Sequence, residues 1–136
     1  MVEKTRAVVA VVIYEDKVLL GKKKAGGGAT MSGKWHILGE TLNIDETDGQ
    51  GLVRGILEEA GIQIRPGKYL GSHMTPKDRK VNWYECEPLS TGIIAGSDLE
   101  EVRWVPFGEV QKVCHENAIS LWPVEIQDYF NNSEKG

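Results

Sequence analysis

Cysteine and positive charge are both scarce in this chain of 136 residues. Its two cysteines, Cys86 and Cys114, form no C-x-x-C pair, so a zinc site or a disulfide framework is not expected and a reducing compartment is favoured. A formal net charge of −4 argues against polymeric nucleic acid as a partner, although a small phosphorylated ligand needs only a local basic cluster. The apolar run AVVAVVIY is too short to span a bilayer. We therefore expect a cytoplasmic protein with no membrane partner.

A single domain followed by a short tail is the predicted organisation. The chain is long enough to bury a core unaided, so we expect one domain over 1–131 and a polar tail over 132–136. TRAVVAVVIY and KVLLGKKK predict a strand and its hairpin partner, and further strands are predicted in KWHILGETL, IQIRPGKYLGSHM, KVNWYECEP and EVRWVPF. A C-terminal helix is predicted after Pro123. This order predicts an α/β fold with a mixed sheet between helices, and leaves the sheet order and a homodimer open.

The central helix is predicted in detail because its ends carry capping residues. Thr47 and Gln50 match the capping box, which starts the helix at about Asp48, and Gly61 is placed to end it. Helical spacing predicts that its packing face carries Leu52, Val53, Ile56, Leu57 and Ala60. The opposite face is then expected to carry Gly51, Arg54, Gly55, Glu58 and Glu59.

Two adjacent glutamates, Glu58 and Glu59, end the central helix. Carboxylates are the ligands that Mg²⁺ and Mn²⁺ prefer, with water and substrate phosphate at the remaining positions. A pair of glutamates on a helix is by itself an ordinary solvated surface. The spacing of the surrounding residues therefore decides the interpretation.

The segment from Glu40 to Ile62, ETLNIDETDGQGLVRGILEEAGI, resembles the Nudix box, G-x5-E-x7-R-E-U-x-E-E-x-G-U with U aliphatic. The opening hairpin, GKWHILGE and EEVRWVPFGEV also resemble family segments, so the resemblance covers nearly the whole chain. It implies the Nudix α/β/α sandwich and hydrolysis of a nucleoside diphosphate derivative with Mg²⁺ or Mn²⁺ as cofactor. Seven of the nine fixed positions match in register: Glu46, Arg54, Ile56, Glu58, Glu59, Gly61 and Ile62.

The resemblance also implies roles for individual residues. Glu58 and Glu59 correspond to divalent-metal ligands, and Glu46 and Arg54 to an ion pair that braces the loop against the helix, so we treat all four as candidate catalytic residues. The other candidate metal ligands are Glu40 and the acids before the late tryptophan, among which the sequence does not choose: Asp98, Glu100 and Glu101.

Three departures from the family pattern affect these roles. Glu40 replaces the first glycine of the box, Leu38 replaces the preceding proline, and Gly55 replaces the glutamate that follows the arginine. That missing glutamate is commonly a third metal ligand in the family. The helix is therefore one carboxylate short, and the chain has either lost activity or obtained the carboxylate from another position.

The candidate substrate contacts come from residues around the box. Lys22, Lys23, Lys24 or Lys34 could lie near substrate phosphate, of which Lys24 and Lys34 are the first candidates, and His36 lies beside the expected pocket. Trp35 and Trp83 offer rings on which a nucleobase could stack. The expected substrate is a small nucleotide, with a purine nucleoside triphosphate, including an oxidised one, first among the candidates.

Two other functions are compatible with parts of the sequence. GATMSGKW nearly spells a phosphate-binding loop, but Trp35 stands where a serine or threonine must coordinate Mg²⁺, which argues against a P-loop enzyme. A Nudix-fold module that binds a nucleotide without hydrolysing it is favoured by Gly55 and Glu40. The hydrolase is preferred because the four candidate catalytic residues remain together.

Overall fold

Seven strands and four helices form the part of the chain that the computed structural model describes, residues 6–24, 33–96, 99–114, 116–120 and 122–132. The strands are β1 (Arg6–Tyr14), β2 (Lys17–Lys23), β3 (Trp35–Ile37), β4 (Gly39–Thr41), β5 (Ile64–Met74), β6 (Lys80–Pro88) and β7 (Leu99–Pro106). The helices are α1 (Asp48–Ala60), α2 (Val110–Val113), α3 (Glu116–Ile119) and α4 (Val124–Asn132), and a 3₁₀ turn covers Phe107–Glu109. None of the helices in these ranges is long and apolar enough to cross a membrane.

The strands form one mixed sheet around β1. The strand order is β3-β2-β1-β6-β5, with β4 paired to β1 and β7 paired to β2. β1 runs parallel to β6, whereas its pairings with β2 and β4 are antiparallel. The predicted α/β fold with a mixed sheet is therefore confirmed.

Alternation along β1 divides the core into two layers, because successive side chains of a strand point to opposite faces. Val8, Ala10 and Val12 pack with the apolar residues of α1. Val11, between them, packs on the other face with Phe130 of α4. The sheet is thus sandwiched between helices.

Helix α1 has the predicted ends. Thr47 and Gln50 form the reciprocal capping box, at 3.1 and 3.0 Å, and Gly61 takes the left-handed conformation at the C-terminus with φ of 72°. Its packing face differs from the prediction, however. Leu57 is 48% exposed, whereas Gly51 and Gly55 are buried against the sheet.

The rotated packing face of α1 has a simple physical reason. A Cβ added at Gly51 would collide with the buried side chain of Leu42, so the absence of a side chain is what brings the helix close to the sheet. The hydrophobic pattern places Gly51 and Gly55 on the face opposite the apolar residues, whereas in the structure both are buried contact positions.

The two cysteines are buried free thiols, as expected. Burial raises the pKa of both Cys86 and Cys114 to about 12, so neither forms a thiolate at neutral pH.

Candidate active site

A cleft of about 690 Å³ opens between the last turn of α1 and the strands around β1 and β4. It brings together acidic, cationic and aromatic side chains from separate parts of the sequence. The acids are Glu40, Glu58 and Glu59; the cations are Lys23 and Arg79; the imidazole and indole rings belong to His36, His73, Trp83 and Trp122.

Arg54 joins the loop before α1 to the helix. Its Nε and Nη2 donate to the two carboxylate oxygens of Glu46 at 2.7 and 2.8 Å, and Nη2 also donates to the carbonyl of Thr41 at 3.0 Å. Its Nη1 donates to Glu58 at 3.1 Å. The hydrogen bonds from Arg54, with a further one from the Asn43 amide, lower the pKa of Glu46 to about 2.

Glu40 occupies the space that Gly55 leaves empty. A Cβ added at Gly55 would lie 2.7 Å from Cβ and 3.0 Å from Cγ of Glu40. The carboxylate of Glu40 accepts from the Thr41 amide at 3.1 Å and lies 3.6 Å from Nη1 of Arg54. Burial is the largest influence on this carboxyl and raises its pKa, although Arg54 acts in the opposite direction. Glu40 in place of glycine and Gly55 in place of glutamate therefore amount to one local exchange. Strand β4 supplies a carboxylate beside the position in α1 that lacks one.

The last turn of α1 is electrostatically unusual. Glu58 and Glu59 lie at the helix C-terminus, where the helix dipole is negative, and the last turn carries no basic residue. Glu59 is also buried, with 8% of its surface exposed. Arg54 compensates Glu58 through the hydrogen bond from its Nη1 at 3.1 Å. The last turn thus places two carboxylates beside the cleft.

Two histidines in the cleft use Nδ1 in different hydrogen bonds. Trp83 Nε1 donates to Nδ1 of His73 at 3.1 Å, so a neutral His73 carries its proton on Nε2. Burial lowers the pKa of His73, which favours this neutral form. His36 instead donates from Nδ1 to the Ile37 carbonyl at 3.0 Å. Nδ1 is thus an acceptor in His73 and a donor in His36.

Several residues expected to contact substrate lie outside the cleft that the described residues form. Trp35 is covered by the guanidinium of Arg103, 4.8 Å from its ring centroid. Lys24 and Lys34 do not line the cleft, but Lys23, the last residue of β2, does. Trp83 and His36 do line it.

The late acids are engaged elsewhere. Glu100 forms an ion pair with Lys22 at 3.4 Å, and Glu101 with Arg103 at 2.8 Å. Neither lines the cleft. Asp98 lies outside the described residues.

The family model for the NUDIX domain matches residues 4–123. The chain belongs to the NUDIX domain family. It is a Nudix hydrolase, of a family that acts on nucleoside diphosphate derivatives.

The similar proteins include two sequences and a solved structure of this family. A MutT-like protein from Streptomyces ambofaciens is 28% identical over 117 residues, which cover 85% of this chain and 73% of that protein. A CTP pyrophosphohydrolase from Escherichia coli (strain K12) is 39% identical over 67 residues, 48% of each chain. The crystal structure of a NUDIX hydrolase from Nitrosomonas europaea superposes with a TM-score of 0.80 over 100% of this chain and 75% of that chain; at 22% identity it supports the fold alone.

Nudix hydrolases generally use divalent metals, and the acids of this Nudix hydrolase can be tested for that use. Within the described ranges, no three acidic, histidine or cysteine side chains are gathered closely enough to hold an ion without other ligands. Mg²⁺, however, is usually held by one or two carboxylates together with waters and substrate phosphates. The buried carboxylate of Glu59 in the cleft is a ligand of that kind.

Two cleft residues of the Nudix domain were not singled out by the sequence. His73 had no visible context, because its hydrogen-bond partner Trp83 lies on the neighbouring strand β6. Arg79 follows the turn between β5 and β6 and contacts Thr41 at 3.4 Å. Only the pairing of β5 with β6 brings these side chains to the cleft.

Proposed function

We propose that this Nudix hydrolase uses water to cleave the pyrophosphate linkage of a nucleoside triphosphate in a reaction that depends on Mg²⁺ or Mn²⁺. The observation that carries the proposal is the position of Glu40, which lines the cleft together with Glu58 and Glu59 and lies over Gly55. A helix that lacks one box carboxylate thereby has a substitute from β4. This arrangement supports catalysis over simple nucleotide binding.

The three glutamates have separate roles in the proposal. Glu58 and Glu59 would hold the metal together with water and substrate phosphate, and Glu40 would accept a proton from the attacking water. When bound, the metal would neutralise phosphate charge and make water a better nucleophile. Arg54 fixes the position of Glu58 by its hydrogen bond and contacts Glu40, so it orients acids from two elements.

Lys23 and Arg79 supply positive charge in the same cleft. The proposal assigns them to the phosphates, because cations stabilise the charge that develops on transferred phosphoryl groups. Trp83 and Trp122 meet edge to face, 6.0 Å apart, and line the cleft. Both indole rings are buried, with 3% and 6% of their surfaces exposed, so neither offers a free face for base stacking, and the prediction that Trp83 stacks on a base is wrong for this conformation. The cleft residues thus favour no particular base, and purine and pyrimidine triphosphates are both candidate substrates.

The test is turnover of a nucleotide panel with Mg²⁺ or Mn²⁺ present. CTP belongs in it because a relative is a CTP pyrophosphohydrolase, and GTP, ATP and an oxidised purine triphosphate test the purine prediction. ADP-ribose and dinucleotides cover the other nucleoside diphosphate derivatives. The expected result is release of pyrophosphate or phosphate from a triphosphate, or of a nucleoside monophosphate from ADP-ribose or a dinucleotide, abolished by a chelator and restored by metal.

Three variants and one control assign the residues. Glu58→Gln, Glu59→Gln and Glu40→Gln should each lower turnover by about 10²-fold or more, since metal-assisted charge stabilisation contributes several kcal/mol. Glu109→Gln, at an exposed site outside the cleft, is the control and should leave turnover unchanged. Unchanged turnover in all three cleft variants would remove the proposed site, and nucleotide binding without turnover in the parent would favour the binding module.

A further inference from the structure

The loop between β6 and β7 is attached to the last turn of α1. The last four carbonyls of a helix have no partner within the helix. Here the amide of Ile94 donates to the carbonyl of Ala60, and the amide of Gly96 donates to the carbonyl of Glu59, both at 3.0 Å. The loop therefore completes the end of the helix that carries Glu58 and Glu59.

Gly96 makes this contact without any room for a side chain. A Cβ added there would collide with the carbonyl oxygen of Glu58 and lie 3.5 Å from its carbonyl carbon. Both atoms belong to the backbone, so no side-chain rotation could relieve the contact. Either the loop or the last turn of the helix would have to move.

The loop is also held on its other side. The carbonyl of Gly96 accepts a hydrogen bond from the amide of Leu99 at 3.0 Å. Leu99 is buried and begins β7, which pairs with β2. Because Gly96 is fixed to the sheet as well as to the helix, bulk added at this position would displace the turn that bears the two glutamates.

We infer that Gly96 is a positioning residue, which sets where Glu58 and Glu59 stand relative to Glu40 on β4. The inference rests on the proposed function, since it concerns the acids of that site. It adds a requirement from outside the Nudix box. The loop before β7 must contact α1 through the backbone of a residue that has no side chain.

The same loop provides a matched control. Around a Cβ placed at Gly92, no described atom lies within 4 Å, and neither Gly92 nor Gly96 has a positive φ. The φ angle at both positions is therefore one that alanine can adopt. The two substitutions restrict the backbone of the loop to a similar extent. They differ in what the new methyl group would meet.

The experiment compares Gly96→Ala with Gly92→Ala. For the substrate found in the panel, we expect Gly96→Ala to lower kcat by about tenfold to 10²-fold, because a displacement of about 1 Å at a reacting centre has effects of this size. The Mn²⁺ concentration for half-maximal rate should rise, with KM for the nucleotide changed much less. Gly92→Ala should match the parent in kcat, in the Mn²⁺ concentration for half-maximal rate and in KM. Equal kcat and equal Mn²⁺ requirement in both variants would overturn the inference.

Amide hydrogen exchange gives a readout that does not depend on turnover. In the parent, the amides of Ile94 and Gly96 should be protected, and in Gly96→Ala the exchange of Ile94 should accelerate while Gly92→Ala leaves it slow. Free exchange of both amides in the parent would overturn the inference even if the enzyme is active. Protected amides in a parent protein without metal-dependent turnover would contradict the proposed function. The contact between the loop and the last turn of α1 would still stand.

A second variant covers a Gly96→Ala protein that does not fold. Ile94 is 72% exposed, and Ile94→Pro removes the donor to Ala60 without adding bulk beside Glu58. It should lower kcat and raise the Mn²⁺ requirement in the same direction. An Ile94→Pro protein that folds and works like the parent would refute a positioning role for the loop.

Discussion

The exchange between Glu40 and Gly55 can be tested by reversing it. Gly55→Glu restores the family's helix carboxylate but places its Cβ 2.7 Å from Cβ of Glu40. Overpacking of this kind costs about 1–3 kcal/mol, and the better helix propensity returns at most about 1 kcal/mol. We therefore expect the single variant to lose about 1–2 kcal/mol of stability.

The double variant Glu40→Gly/Gly55→Glu should recover what the single variant loses. Removal of the Glu40 side chain eliminates the close contact, so the coupling free energy should lie in the range of about 1–3 kcal/mol found for residues in contact. Glu40→Gly alone should fold but lose about 10²-fold in turnover, because it leaves the cleft with two carboxylates. The double variant should regain most of that rate.

Urea unfolding and steady-state kinetics on the four proteins complete the cycle. Each kcal/mol should appear as about 4 °C in Tm, which gives an independent measure of stability. Additive free energies within about 0.5 kcal/mol would show that the two positions are independent. Full turnover in Glu40→Gly would show that its carboxylate is not the substitute.

Three further predictions follow from the packing and charge around α1. Glu46 has its pKa lowered from 4.5 to about 2, so its stabilising contribution is complete above about pH 4.5 and is lost as the pH falls towards 2; melts of Glu46→Gln and the parent should therefore converge on acidification. Gly51→Ala should lose about 1–3 kcal/mol in urea because its methyl group would collide with Leu42, whereas Gly49→Ala, whose nearest new contact is 4.0 Å away, should be neutral or stabilising. Arg54→Lys keeps the charge but loses the two-pronged contact with Glu46, and should lower both Tm and turnover.

The ends of α1 were predictable because the information is local. Thr47 and Gln50 satisfy each other within one turn, and Gly61 takes a backbone conformation that other residues avoid. The continuous run of Val and Ile residues in β1 likewise indicates a strand buried on both faces. These features depend on neighbours in the sequence and needed no knowledge of the tertiary structure.

The parts that could not be predicted depend on contacts between separate elements. The packing face of α1 was assigned wrongly at Leu57 because the helix is oriented by close approach at Gly51 and Gly55, which no hydrophobic pattern records. The position of Glu40 over Gly55 requires the pairing of β4 with β1 and the docking of the helix on it. The contact between Trp83 and His73 likewise needs the register of two strands.

The origin of Glu40 on a strand changes the mechanics of the acidic cluster. In the family pattern the three carboxylates lie on one helix, which keeps the spacing between them fixed. Here two carboxylates belong to α1 and the third belongs to β4. Arg54 forms an ion pair with Glu58 on the helix and with Glu40 on the strand. A slip of the helix along the sheet would separate the charges while every strand and helix stayed intact. With the roles proposed for Glu40, Glu58 and Glu59, turnover would therefore depend on the packing of α1 against the sheet as well as on the stability of the fold.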